Sequence, residues 1–319
     1  MVNCHPRSQR IAYLVSYSLV LLLSIVGNAY IIAIVLRNKE MHSTVNYLIV
    51  NMALSDIVGS IVSLSIGLSI FATLSTEWRV KGTLGNILCK AHPFLRDVCI
   101  TVSILSNVAI ALDRFFAVVF PMKPIPRFLK NRIVLPAIWL VATAGFAIYL
   151  YTMKLSPFLD VFQCIMKWPA NVDPNKAGNT LYLSIVVGGF IAPCFVITSL
   201  YLAIACSLKR GQKRQQSADI EKRRRKENIA ITKMLFTIAA CFFACWFPSH
   251  ILTFLGYFVW KGAIPAAIAP FYEVLEDCST IFSYVSFFIN PLICFTFNGN
   301  YRQYLKKTFP FNLCCGNRT

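Results

Sequence analysis

Residues Ala91–Val119 read AHPFLRDVCITVSILSNVAIALDRFFAVV, an apolar run that closes on Asp113-Arg114-Phe115 and has Cys89 just ahead of its other end. At about 1.5 Å of rise per residue, a helix of this length crosses a hydrocarbon core about 30 Å thick. Two full charges at the end of such a helix are expensive to hold, so they are expected to serve a function. Six further apolar spans accompany it: Ile11–Leu36, Asn46–Leu74, Ile133–Met153, Asn179–Leu208, Met234–Trp260 and Pro270–Asn298. The expected fold is an all-α membrane protein, a seven-helix transmembrane bundle over residues 11–298. A short segment, 1–10, precedes it, and an amphipathic helix with a tail, 299–319, follows.

Composition agrees. The chain has 319 residues, 57% hydrophobic and 14% charged, and a soluble protein would be far more polar. The first, fourth, fifth and sixth spans contain no Asp, Glu, Lys or Arg. The net charge of +18 does not point to nucleic acid, because the basic residues sit in short loops between apolar spans, where anionic lipid is the natural neighbour. Twenty lysines and arginines fall in the loops after spans one, three and five and in the tail, against nine on the other side. The positive-inside bias therefore predicts an extracellular N-terminus and a cytoplasmic C-terminus in the plasma membrane. The first apolar run is too long for a signal peptide and lacks a clear cleavage site.

The twelve cysteines divide by side. Cys89 and Cys164 are expected to face the oxidising exterior, where a disulfide between them would clamp the loop after span four over the bundle; two free thiols are the alternative. Cys314-Cys315 follow the amphipathic basic stretch Asn300–Phe309 and are expected to carry lipid on the inner leaflet.

Each span also carries its own short motif, in order: Gly27-Asn28, Leu54-Ser55-Asp56, Cys89 with Asp113-Arg114-Phe115, Trp139, Pro193 with Tyr201, Phe242 with Cys245-Trp246-Phe247-Pro248, and Asn290-Pro291. Over essentially its whole length the chain resembles the rhodopsin-like (class A) G-protein-coupled receptors, and it is most similar to the neuropeptide receptors among them. The resemblance implies an extracellular ligand, a heterotrimeric G protein inside, and arrestin as a further partner.

It also implies roles. Arg114 is expected to pair with Asp113 at rest and to contact the G protein when freed, with Phe115 in place of the family's commoner Tyr. Glu227 or Asn228 stands where a further carboxylate often completes the resting lock. Pro193, Pro248 and Pro291 remove backbone donors inside membrane helices and are expected to kink them. Ile104 and Phe242 are expected to pack as a hydrophobic switch against Pro193, and Trp246 to floor the ligand cavity. Asp56 is a lone carboxylate deep in an apolar helix, and burial disfavours a bare charge. Ser103, Ser286 and Asn290 imply a sodium site around it; a protonated Asp56 bonded to Asn28 and Asn290 is the alternative. No other cofactor is expected. Cys294 departs from the family pattern, which has Tyr three residues beyond Pro291, so Tyr201 is expected to lose its usual water-bridged partner.

The ligand is expected to be a peptide. Arg96 stands where amine receptors of the family carry Asp. Tyr284 stands where opsins carry the retinal-binding Lys, so no Schiff base forms there. Cys164-Ile165-Met166-Lys167-Trp168-Pro169 resembles the hairpin of neuropeptide receptors. Glu273, Glu276 and Asp277 gather at the outer end of span seven, opposite Arg96 and Asp97, and suit a ligand with both signs of charge. Internal pairing of Arg96 with Glu276 or Asp97 is the competing reading. Ile100, Ser249, His250, Thr253, Thr280 and Tyr284 complete the expected ligand-facing set. A transporter would need intramembrane charges along a path, and here Asp56 stands alone. No HExxH, Gly-x-Ser-x-Gly or phosphate loop suggests an enzyme. A retinal-free relative of opsins is the nearest rival.

Overall fold

The computed structural model describes residues 6–158, 161–212, 219–261 and 263–308. Seven helical spans are long and apolar enough to cross a membrane: Arg7–Arg37, Thr44–Thr73, Gly82–Val119, Arg132–Thr152, Pro174–Lys209, Ile229–Val259 and Ala269–Phe297. The first three are the helices α1, α2 and α3. The fourth comprises α4 (Asn131–Phe146) and α5 (Ile148–Thr152). An antiparallel hairpin follows, β1 (Met153–Phe158) and β2 (Val161–Met166), with Leu155 opposite Cys164. The fifth span is α6 (Pro174–Ser184), a π-helical stretch Ile185–Ile191, and α7 (Ala192–Gln212). The sixth is α8 (Asp219–Phe254) with a π-helical end Leu255–Val259, the seventh is α9 (Ala269–Phe297), and α10 (Gly299–Thr308) closes the described chain.

Several boundaries differ from the sequence reading, each for a local reason. The third helix begins at Gly82 rather than Ala91, so Cys89 lies inside α3 instead of heading it. The fifth span begins at Pro174, where Asp173 caps the helix by accepting from the backbone N–H of Asn175 and Lys176, and proline fills the first position, which needs no donor. The fourth span breaks at Ala147 and stops at Thr152, since Met153 already belongs to β1. The basic stretch 209–226 is mostly helical: α7 runs to Gln212 and α8 starts at Asp219, while 213–218 lie outside the described residues.

The expected kink at Pro193 takes the form of the π-helical turn that ends two residues before it. Proline has no N–H for the carbonyl one turn back, and a widened turn accommodates the misfit. Pro248 and Pro291 sit inside α8 and α9. Pro93 and Pro136, inside α3 and α4, were not singled out in the sequence.

α3 is the hub: it touches α2, α4, α5, α7, α8 and β1. The main core joins Ile31 and Ile34 of α1, Leu48 and Met52 of α2, Ile110 of α3, Ile204 of α7, Leu235 and Ile238 of α8, and Tyr301 of α10. Large apolar residues on the outside, such as Leu22, Leu140, Phe195 and Leu292, are the surface that lipid covers. Gly27 explains one motif physically: a Cβ there would stand 3.1 Å from the Cβ and Cγ of Pro291, so glycine lets α1 and α9 close on each other.

Candidate functional site

The disulfide Cys89–Cys164 ties β2 to α3, and Trp78 N donates to Phe162 O at 2.7 Å, so the hairpin is fixed at two points. Under this end of the bundle lies a cavity of about 430 Å³. Arg96, Asp97 and Ile100 of α3, Trp246, Ser249, His250 and Thr253 of α8, and Thr280 and Tyr284 of α9 all line it, as expected from the sequence. Ile104 and Phe242 line its floor beside Trp246; Pro193 is buried at the start of α7 and does not line it.

Arg96 is engaged internally. Its Nε donates to Asp97 Oδ1 at 2.7 Å and its Nη2 to Asp97 Oδ2 at 3.3 Å, and Tyr149 Oη donates to the same Oδ2 at 2.8 Å. Of the two internal partners weighed, Asp97 is the one found. The pair is partly exposed to the cavity, with side-chain exposures of 35% for Arg96 and 13% for Asp97, so the guanidinium keeps free donors on the cavity side. The His250 ring is tilted against Phe190, with centroids 4.5 Å apart, and against Trp246, at 6.0 Å, while its carbonyl accepts from Tyr182 Oη at 2.9 Å.

Glu276 does not reach this cavity; it borders an outer vestibule of about 920 Å³, which shares Met166, Gly178, Thr253 and Tyr257 with the cavity. Glu273 is exposed and lines neither. Glu273 shares the helix face of Thr280 and Tyr284 but lies about 10 Å further along α9 from Thr280, toward the outer start of the helix and beyond the cavity. Tyr149, Met166, Tyr182, Phe190 and Tyr257 line the cavity and were missed. Aromatics in membrane helices give no directional signal in the sequence, and Tyr149 meets Asp97 across 52 positions of chain.

Lower in the bundle Asp56 is 2% exposed and accepts from Asn290 Nδ2 at 2.7 Å. Ser103 is near enough to interact with the carboxylate, yet its Oγ makes no well-formed hydrogen bond. Asn28 does not bond Asp56: its Nδ2 donates to Phe287 O at 2.7 Å and to Ser24 O at 2.9 Å. Ser286 is taken up by Trp246, whose Nε1 donates to its Oγ at 3.1 Å, and by Ser283 O, to which it donates at 2.7 Å. Buried Asn28 Oδ1, Ser103 Oγ and Asn290 Oδ1 have no partner among the described residues. Asp56 with the orphaned oxygens of Ser103 and Asn290 beside it is the donor chemistry of a hard cation, and these three residues fit sodium.

At the far end of α3, Arg114 is held on Asp113, Nη2 to Oδ2 at 2.5 Å and Nε to Oδ2 at 3.1 Å, with the carboxylate 1% exposed. Phe115 packs edge-on to Phe116 and Phe120. Tyr201 is buried against the edge of Phe236, and Cys294 is fully buried. The side chains of Glu227 and Asn228, and all of Cys314 and Cys315, lie outside the described residues. In α10, Tyr301 is fully buried and donates to Asn46 Oδ1 at 3.0 Å, while Asn46 Nδ2 donates to Met41 O at 2.7 Å. Burial raises the Tyr301 pKa well above its usual value, so the hydroxyl stays a donor.

A seven-helix bundle with a largely apolar cavity carrying a few polar groups at its disulfide-clamped end and a buried Asp–Arg pair at the other is the build of a signalling receptor. The chain belongs to the rhodopsin family of seven-transmembrane receptors, whose sequence profile matches residues 27–293. It is a G-protein-coupled receptor. Neuropeptide FF receptor 2 of Mus musculus is 28% identical over 334 residues, spanning 97% of this chain and 75% of that protein. The substance-P receptor of Homo sapiens is 26% identical, spanning 97% and 73%, and the neuromedin-K receptor of Rattus norvegicus is 26% identical, spanning 95% and 64%.

Proposed function

We propose that this receptor sits in the plasma membrane with its N-terminus outside, binds a peptide in the cavity beneath the hairpin, and passes the event to a heterotrimeric G protein at the Arg114 end. The observation that carries this reading is the 430 Å³ cavity lying beside a 920 Å³ outer vestibule, with Met166, Gly178, Thr253 and Tyr257 in the walls of both. Together they exceed the size of ordinary small-molecule sites, about 300–1,000 Å³, and suit an extended ligand. Relatives with names such as neuropeptide FF receptor 2 and substance-P receptor support the same class. Retinal is disfavoured because Tyr284, not an amine, occupies the cavity wall at the opsin lysine's position.

The mechanism is a population shift. A peptide that binds the cavity better when α8 has swung at Pro248 biases the bundle toward that state. Trp246, hydrogen-bonded to Ser286, links the cavity floor to α9 and the Asp56 region. The swing opens a cleft in which Arg114, released from Asp113, meets a G-protein helix. Sodium held by Asp56, Ser103 and Asn290 would supply a cation that steadies the resting bundle. Arrestin is a second cytoplasmic partner, and lipid on Cys314 and Cys315 anchors the tail.

The test is a neuropeptide library applied to cells that report nucleotide exchange, with binding measured in parallel. The expected result is a peptide that both binds and stimulates exchange. Peptides that bind without stimulating exchange at any concentration, alongside a small non-peptide that does, would overturn the reading.

A further inference from the structure

Three glycines lie in the fifth span, Pro174–Lys209: Gly178 in α6, and Gly188 and Gly189 in the π-helical stretch. Glycine inside a helix weakens it relative to alanine, because more backbone freedom is lost and no side chain packs in return. Helices keep glycine where the backbone needs a positive φ or where a neighbour crowds the place of a Cβ. Gly27 and Gly59 are of the second kind, with Pro291 and Phe287 standing 3.1 and 3.0 Å from that place. Neither reason holds in the fifth span. None of its three glycines has a positive φ, and a Cβ on any of them would meet no described atom within 4 Å.

What borders the open space distinguishes them. Gly188 is exposed on the outside of the span and does not line the cavity, so lipid covers it. Gly178 and Gly189 are half-buried and line the cavity, as do Leu181, Tyr182 and Ile185 between them. Gly178 also borders the vestibule and so lies at the mouth. Gly189 comes eleven residues further into the bundle, roughly 15 Å along the helix. At that depth the wall is apolar: Ile104, Phe242 and Trp246 floor the cavity, and Phe190 packs its ring 4.5 Å from that of His250. The charges of Arg96 and Asp97 lie about two turns outward of Ile104 along α3.

A gap walled by apolar groups holds water poorly, since water needs two or more polar partners, and favours an apolar occupant. We propose that Gly189 is a specificity-determining residue. Its missing side chain leaves a slot in which a bulky apolar group of the ligand seats against the backbone of the fifth span, and Gly178 leaves similar clearance where the ligand enters from the vestibule. The inference rests on the reading of this cavity as the ligand site, and adds the size and polarity of the group that goes deepest. A role for glycine in easing the widened turn would fall on Gly188 as much as on Gly189, so substitutions at the two positions tell these roles apart.

The experiment uses the full chain in detergent micelles with N-acetyl-para-fluorophenylalanine amide as the probe, its binding read by fluorine NMR against receptor-free micelles. The wild type is expected to bind the probe saturably, with N-acetylleucine amide competing and N-acetylserine amide not. Gly189→Ala and Gly189→Val should weaken binding in that order, over roughly five- to 150-fold, the range for overfilling a packed site. Gly189→Ala should also keep or raise the thermal midpoint of the unliganded receptor, since alanine favours the helix and meets no neighbour. A folding defect would instead lower affinity and midpoint together. Gly188→Val should leave binding unchanged. If a neuropeptide library yields no agonist while the probe follows this order, the peptide reading falls and the slot stands. If an agonist peptide binds the wild type and Gly189→Val alike, the slot falls and the peptide reading stands. No saturable probe binding up to the solubility limit, equal competition by the serine and leucine compounds, wild-type affinity in Gly189→Val, or equal losses in Gly188→Val and Gly189→Val would overturn the proposal.

Discussion

Arg96 concentrates the chemistry of the outer cavity in one side chain. Two of its N–H groups are committed to Asp97, and Tyr149 adds a third donor to that carboxylate. The remaining guanidinium donors are therefore free for carbonyl oxygens of a ligand, and a ligand ammonium gains little from Asp97. Hydrogen bonds to charged groups contribute about 1.5–3 kcal/mol, or roughly ten- to a hundredfold in affinity. Arg96→Ala should raise the agonist concentration for half-maximal response by that factor with surface expression intact; an unchanged dose–response curve would remove Arg96 from the site. Asp56 invites a parallel test. Sodium should weaken agonist binding in the wild type, and Asp56→Asn, which keeps the shape and drops the charge, should abolish that dependence in radioligand competition at fixed ionic strength. These two residues also show what the sequence can and cannot reveal. Asp56 stands out because a charge in an apolar helix is conspicuous anywhere. The partnership of Arg96 with Asp97 and Tyr149 depends on side-chain direction, which no spacing rule supplies.

At the level of elements, the length of the apolar runs was enough to find all seven spans, because the bilayer fixes how many apolar residues a crossing helix needs. Ends were less legible. The first turns of α3, Gly82-Thr83-Leu84-Gly85-Asn86-Ile87-Leu88-Cys89-Lys90, mix two glycines and polar residues with apolar ones and so break the apolar run, and their close approach to the preceding loop needs glycine: a Cβ on Gly85 would run into the carbonyl oxygen and carbon of Val80. A backbone group cannot rotate aside as a side chain can. Gly85→Ala should therefore destabilise the receptor by about 1–3 kcal/mol, the usual range for overpacking, seen as a lower thermal midpoint in micelles. The prolines behave differently from one another. Pro193 is answered by a π-helical turn before it, whereas Pro248 stays within α8. Pro248→Ala would restore the missing N–H and remove the clash with the preceding turn. The expected outcome is a higher thermal midpoint with lower maximal nucleotide exchange; an unchanged maximum would show that the swing of α8 pivots elsewhere.

On the scale of the whole molecule, the two ends of α3 do opposite work. Eighteen residues separate Arg96 from Arg114, about 27 Å along a helix, so one helix carries the cavity's charge at one face of the bilayer and the coupling charge near the other. A receptor needs those faces to be outside and inside respectively, and the distribution of lysine and arginine argues for this order. The argument is open to direct test. An epitope inserted after Met1 should be reached by antibody on intact cells, and one added after Thr319 only after permeabilisation. Agonist added to sealed right-side-out vesicles should then stimulate nucleotide exchange only when G protein is enclosed. Labelling of both ends from the same side would be incompatible with seven crossings, and exchange driven from the tail side would reverse the roles of Arg96 and Arg114.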